Sequence, residues 1–199
     1  FEQSEQFLTA MYLFDETELN HYIQENKDER MIASLIYIDN YEEALDSIEE
    51  VKRSLLVALV DRKINKYFSG VDALVRKIEK DKYFVVFRHK FLSRLQEDKF
   101  SLLEDVKNVR VGNEMAVTLS IGIGDEGSSY NQNYDYARMA IDLALGRGGD
   151  QVVVKEGEKI SYYGGKSKQV EKMTRVKARV KAHALREMIE SREHVIVMG

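Results

Sequence analysis

The sequence predicts an α/β (α+β) sandwich with a mixed central sheet and helices on both faces. Three observations carry that reading. Between residues 31 and 163 the segments follow the order β-α-α-β-β-α-β-α-β-β. Short hairpins join two of the strand pairs, while helical crossovers link the others, so the sheet mixes antiparallel and parallel neighbours. The run Met31–Ile38 is almost continuously apolar, as expected for a strand covered on both faces.

Each element follows from its pattern. Residues 7–15 are rich in Leu, Met, Tyr and Phe and read as a strand. Residues 16–30 are polar, with Leu19, Tyr22 and Ile23 at helical spacing, and read as a helix or linker. After the apolar strand, residues 41–68 read as helical, with Leu55, Leu56, Leu59 and Val60 as the apolar stripe and Ser69-Gly70 as the break. Two strands follow, 73–78 and 83–87, joined by a tight turn at Glu79, Lys80, Asp81 and Lys82. Residues 89–106 form an amphipathic helix, 116–124 a strand, and 134–145 a helix stopped by Gly146. Residues 151–155 and 160–163 make a closing hairpin. From Lys166 the chain turns helical to about Glu190, and residues 194–198 are a last strand.

Composition excludes several classes of function. With 199 residues, 44% of them hydrophobic, there is enough apolar material for one domain with extra elements. No cysteine is present, which rules out disulfides, thiolate zinc or iron–sulfur sites and a thiol nucleophile, and suits a reducing cytosol. No apolar run approaches the roughly 20 residues of a membrane helix, so no membrane contact is expected of this stretch. The start at Phe1 and the apolar end before Gly199 suggest a piece of a longer chain. Residues 166–186 carry eight basic side chains and one acidic one, leaving 22 basic against 33 acidic elsewhere. Without interleaved aromatics to stack bases, this reads as a helix docked on acidic surface of its own protein rather than a nucleic-acid patch.

Three places invite a chemical reading. Gly122, Gly124 and Gly127 give a GxGxxG spacing, but polar residues 128–133 intervene before the expected helix, so they read as a glycine-rich strand exit rather than a dinucleotide fingerprint. Gly146, Arg147, Gly148, Gly149 and Asp150 follow a helix and read first as a C-cap and turn. The alternative is a phosphate-touching loop, with Arg147 pairing an oxyanion. Asp39 ends the buried strand opposite the turn carrying Asp81, where an α/β sheet places ligand chemistry. Its structural alternative is a helix N-cap supplied by Asp39 or Asn40. The four histidines show no metal-ligand spacing, and no Ser-His-Asp set is argued from the sequence.

The segments Ile36 to Tyr41 and Lys77 to Phe84 resemble the two signature segments of GGDEF domains, the diguanylate cyclase fold. In active cyclases the first segment reads Asp-Ile-Asp and the hairpin Gly-Gly-Asp-Glu-Phe, with carboxylates of both holding Mg²⁺. Here Tyr37 stands at the leading metal-binding Asp and Asp39 at the second. The hairpin reads Glu79, Lys80, Asp81, Lys82, Tyr83, so Lys82 replaces the carboxylate needed for metal and catalysis. An ammonium repels Mg²⁺, and a phenol does not replace a carboxylate in its ligand shell. The product-inhibition RxxD pattern is absent from residues 70–73. The resemblance therefore implies a domain that makes no cyclic di-GMP.

The stretches 143–151, 162–166, 174–180 and 194–199 are similar to those of GdpP/YybT-type cyclic-di-AMP phosphodiesterases. That resemblance implies two membrane helices, a PAS domain, a degenerate GGDEF domain and a DHH module that hydrolyses cyclic di-AMP to pApA with Mn²⁺. Asp15-Glu-Thr17 is similar to the Asp-x-Thr that ends a PAS domain. The implied division is residues 1–30 for the PAS end and linker helix, 31–165 for the degenerate GGDEF domain, and 166–199 for a basic linker helix and a first DHH strand. The Mn²⁺ ligands are expected beyond Gly199, and the location is the cytoplasmic part of a cell-membrane protein. Expected partners are the adjacent PAS and DHH domains, a nucleotide and a second copy of the parent. For this stretch the resemblance implies no catalytic residue and no metal ligand, and at most weak handling of ATP/Mg²⁺. The nucleotide-binding candidates are Asp39, Asn40, Asp81, Lys80, Lys82 and Arg147. The alternative is a ligand-free structural or dimerisation module joining a sensor to an effector.

Overall fold

The structure, a computed structural model, describes residues 14–165. The strand expected up to residue 13, and the helix and strand expected from Lys166 onward, lie outside the described residues. Residues 14–16 are coil, and α1 is Thr17–Glu29. Then come β1 (Met31–Ile38), α2 (Tyr41–Asp46), α3 (Glu50–Ser69), β2 (Leu74–Glu79) and β3 (Lys82–Arg88). A 3₁₀ turn (His89–Phe91), α4 (Leu92–Glu97), α5 (Leu102–Lys107), β4 (Leu119–Asp125), α6 (Tyr130–Gly146), β5 (Gln151–Glu156) and β6 (Lys159–Gly164) complete it.

The six strands lie in the order β2-β3-β1-β4-β5-β6. β1 is central and antiparallel to both β3 and β4, while β4 and β5 are parallel across α6. The mixed sheet read from the sequence is therefore present. Alternate residues of β1 serve two layers, as the pleat requires. Ile32, Ile36 and Ile38 join the larger core with α3, α4 and α5, and Ala33 and Leu35 meet Ala137 and Ile141 of α6.

The structure corrects four readings of helix and turn. The single helix expected over 41–68 is two, because Ile48 turns inward and Glu49 is extended, with Ser47 Oγ donating to the Ala44 carbonyl at 2.8 Å. The buried stripe of α3 is Leu56, Val60, Ile64 and Phe68, an i, i+4 series, while Leu55 is 50% exposed. The helix expected over 89–106 is a 3₁₀ turn and two short helices. Lys99 and Phe100 take left-handed backbone, Phe100 is buried in the core, and Asp98 accepts from the Ser101 amide and hydroxyl.

The fourth correction concerns the glycines near residue 124. Gly122 and Gly124 lie inside β4, not at its exit, and β4-α6-β5 is a parallel unit after all. α6 opens at Tyr130, earlier than its apolar spacing suggested, because Ser129 caps it by accepting from the Gln132 amide at 3.2 Å. A Cβ at Gly122 would stand 2.4 Å from the Ile141 nitrogen, and one at Gly124 2.0 Å from the Asn133 carbonyl oxygen. These glycines let a helix backbone lie directly on a strand.

Candidate functional site

Asp39, Asn40, Asp81 and the Gly-rich loop share one end of the sheet. They meet there because β1 ends where β4 and β5 begin, and the β2–β3 turn folds over the same edge. The Ile38 amide donates to the Asp81 carbonyl at 2.9 Å, and the Asp39 amide to the Thr118 carbonyl at 3.0 Å. Backbone pairing alone thus fixes the turn beside the strand end.

The side chains diverge from that edge. Asp39 turns toward the loop after α6: Oδ1 accepts from Ser120 Oγ at 2.5 Å and Oδ2 from the Asp150 amide at 2.9 Å. Gly149, at φ +77°, lies against the same carboxylate, and a Cβ there would sit 2.8 Å from Asp39 Cγ. Burial pushes the Asp39 carboxyl up, against the downward pull of Ser120 and the Asp150 amide. Lys107 reaches Asp150 from α5 at 2.8 Å. Asn40, buried, clamps a neighbouring segment: it donates to the Ala116 carbonyl at 2.8 Å and accepts from the Thr118 amide at 3.0 Å. Neither residue makes a side-chain cap for α2.

Lys80 and Lys82 point to different partners. Lys80 is exposed, pairs with Glu42 and lies 5.8 Å from the Tyr41 ring centre; Glu42 holds its ammonium above the ordinary lysine range. Lys82 bonds Glu79 Oε2 at 2.7 Å and lies 5.3 Å from the Tyr37 ring centre. Its partner across the hairpin register is Glu79, and its partner across β1 is Tyr37. An ammonium and a phenol thus face each other where the resemblance places two carboxylates. Among the described residues, no three His, Asp or Glu side chains converge as a metal site. The residues present do not fit Mg²⁺.

The loop after α6 is closed on itself. The Arg147, Gly148 and Gly149 amides donate to the Leu143, Leu145 and Ala144 carbonyls, and the Asp150 amide is held by Asp39. These four donors are committed internally, so the loop is a helix C-terminus and turn rather than an anion cradle. The Arg147 guanidinium stacks 4.4 Å from the Tyr162 ring centre, and its Nε donates to Gln151 at 3.2 Å.

Sequence reasoning missed the partners of Asp39, namely Ser120, Gly149 and the Asp150 amide, and the pairing of Lys107 with Asp150 beside them. The paired glycines before Asp150 were the available signal. It also missed His89 Nδ1 against Asp125 Oδ2 at 2.5 Å, with Asp125 buried. No local spacing announces that pair.

The model of the family described as "Cyclic-di-AMP phosphodiesterase GdpP-like, GGDEF domain" matches residues 36–162. The cyclic-di-AMP phosphodiesterase GdpP of Geobacillus thermodenitrificans is 37% identical over 190 residues. The cyclic-di-AMP phosphodiesterase PdeA of Listeria monocytogenes is 38% identical over 193. Each alignment covers 95% of this chain and 29% of the relative, so the chain spans under a third of those proteins' length. Among solved structures, the GGDEF domain of DgcB from Caulobacter crescentus, determined with c-di-GMP, superposes with a TM-score of 0.53. It has 16% identity, with 71% of this chain and 87% of that one covered, a likeness of fold. With the strand order, the altered hairpin and the family match together, the chain belongs to the GGDEF domains of the GdpP-like cyclic-di-AMP phosphodiesterases.

Proposed function

We propose that this domain is the regulatory, cyclase-incompetent middle of a membrane-anchored cyclic-di-AMP phosphodiesterase, set between a PAS sensor and a Mn²⁺-dependent DHH module. The relatives' names and the family match support the parent activity. Among the described residues no helix is long and apolar enough to cross a membrane, and we assign the anchor to other parts of the parent. One observation carries the regulatory reading: Tyr37 and Lys82 face each other where a cyclase needs metal-binding carboxylates.

ATP is the nucleotide we assign to this edge, bound weakly and without metal. Its phosphates would have to displace Glu42 from Lys80 and Glu79 from Lys82. Both ion pairs are solvated, so the exchange costs little, and the affinity gained is correspondingly small. Asp39 and Asn40, held by Ser120, Thr118 and Asp150, would shape the floor without contacting phosphate. Calorimetric titration with ATP, with and without Mg²⁺, tests this. Millimolar binding that survives removal of Mg²⁺ is expected, and no heat at millimolar ATP would overturn it.

The same internal pairing favours a second reading, a ligand-free module serving linkage or dimerisation. A sizing column and a panel of nucleotides in thermal-shift assays separate the two: the second reading gives a dimer and no shifts.

A further inference from the structure

We propose that α6 is a rigid rod coupling the attachment of α1, at one end of the domain, to the end of β6 at the other, where Gly164 and Gly165 meet the loop that follows α6. The inference rests on the regulatory reading above and gives it a mechanical path.

The attachment of α1 is polar. No residue of α1 is buried, so apolar packing does not hold it. Instead, three segments meet around Arg30. The Arg30 carbonyl accepts from the His89 amide at 2.8 Å, and Arg30 Nη2 donates to the Gly127 carbonyl at 2.5 Å. Glu29 bonds Lys90 at 2.5 Å and Arg88 at 3.2 Å, and His89 is tied to buried Asp125. Gly127 is in turn part of the start of α6, since its amide donates to Asn133 Oδ1 at 2.7 Å. Asn133, buried, donates back to the Met31 carbonyl at 3.2 Å. Displacement of α1 therefore acts on the first turn of α6 through two hydrogen bonds, one from Arg30 and one to Met31.

The rod itself is stiff. α6 has 17 residues, about 25 Å at 1.5 Å per residue. It lies on the side-chain-free backbone of Gly122 and Gly124. Where these two glycines bring strand and helix backbones together, and with buried side chains such as Leu35 and Val153 packed on the rest of the face, there is little slack, and a shift at one end is carried to the other. At the far end the Ala144 carbonyl accepts from both the Gly149 amide and Gln151 Nε2 at 3.0 Å. The Asp150 amide is fixed on Asp39, and the Asp150 carbonyl accepts from the Gly165 amide at 3.1 Å. Gly165 is where the chain passes into residues 166–199.

Amide hydrogen exchange followed by NMR on this chain tests the coupling. Arg30→Ala removes the bond to Gly127 at a half-buried surface position. It should speed exchange of the Asp150 and Gly165 amides about tenfold relative to the core amides of Ile36 and Val85, which report global opening. Reciprocity requires that Asp39→Asn, made at the far end, speed exchange at Gly127 and Asn133 relative to the same references. Effects confined to the mutated end, or matched by the core amides, overturn the proposal for whichever variant folds. ATP titration does not enter this readout, so failure of the nucleotide assignment leaves it standing, and its own failure leaves that assignment untouched.

Discussion

Gly122→Ala is the substitution in which the packing of this domain is most exposed to measurement. The added Cβ would lie 2.4 Å from the Ile141 nitrogen, 2.5 Å from the Ala137 oxygen and 2.8 Å from Ile141 Cα. All three are backbone atoms of α6, so no rotamer change relieves the contact. To restore ordinary van der Waals spacing the helix must retreat by roughly 1 Å, which forfeits a quarter to a half of the dispersion energy of the contacts it opens. Ala137, Ala140, Ile141 and Ala144 all lie in that layer. Overpacking of this kind costs about 1–3 kcal/mol, and the rigid obstacle argues for about 3. Urea unfolding followed by circular dichroism, with a slope near 2 kcal/mol/M, should show the midpoint fall by about 1.5 M. Gly146→Ala is the control, since nothing lies within 4 Å of its Cβ position, and it should be neutral or stabilising by about 0.5–1 kcal/mol. An unchanged midpoint for Gly122→Ala would refute the claim that α6 rests on strand backbone.

Gly149→Ala combines left-handed backbone with a clash against the Asp39 carboxylate, so it should cost about 2–3 kcal/mol in the same urea assay. Asp39 itself should titrate above an ordinary aspartate when its carboxyl carbon is followed by NMR. Because its folded-state pKa is raised, the folded form keeps a proton that the unfolded form has lost. Its contribution to stability is therefore greatest below the unfolded pKa and declines as pH rises through the window up to the folded pKa. Lys82→Glu restores a hairpin carboxylate but leaves Tyr37 opposite. It should yield no cyclic di-GMP by chromatography, and should shift stability by no more than about 1 kcal/mol, since it breaks a solvated pair.

The fold was legible where local pattern and tertiary demand agree. The continuous apolar run of β1 implied cover on both faces, and the two hairpins implied antiparallel neighbours. Breaks made by tertiary packing were not legible. Lys99 and Phe100 adopt left-handed backbone without glycine, because burying Phe100 outweighs the local cost. The edge of the sheet carrying Asp39 and Asp81 could be placed from the altered signature segments. The direction of Asp39 could not, because it is set by Ser120 and Asp150, 81 and 111 residues further along the chain. Gly122 and Gly124 were visible as a motif, yet their use as a seat for α6 depends on a helix whose start Ser129 fixes.

The central claim, that the side chains of this edge pair with one another where a cyclase holds metal and that the domain does no cyclase chemistry, meets its most direct test in one incubation. The chain, at high concentration with GTP and Mg²⁺, is assayed for cyclic di-GMP by mass spectrometry. The pairing of Lys82 with Glu79 and its placement over Tyr37 predict no product above a protein-free control. Product that appears with the protein and vanishes in Asp39→Ala would contradict the account.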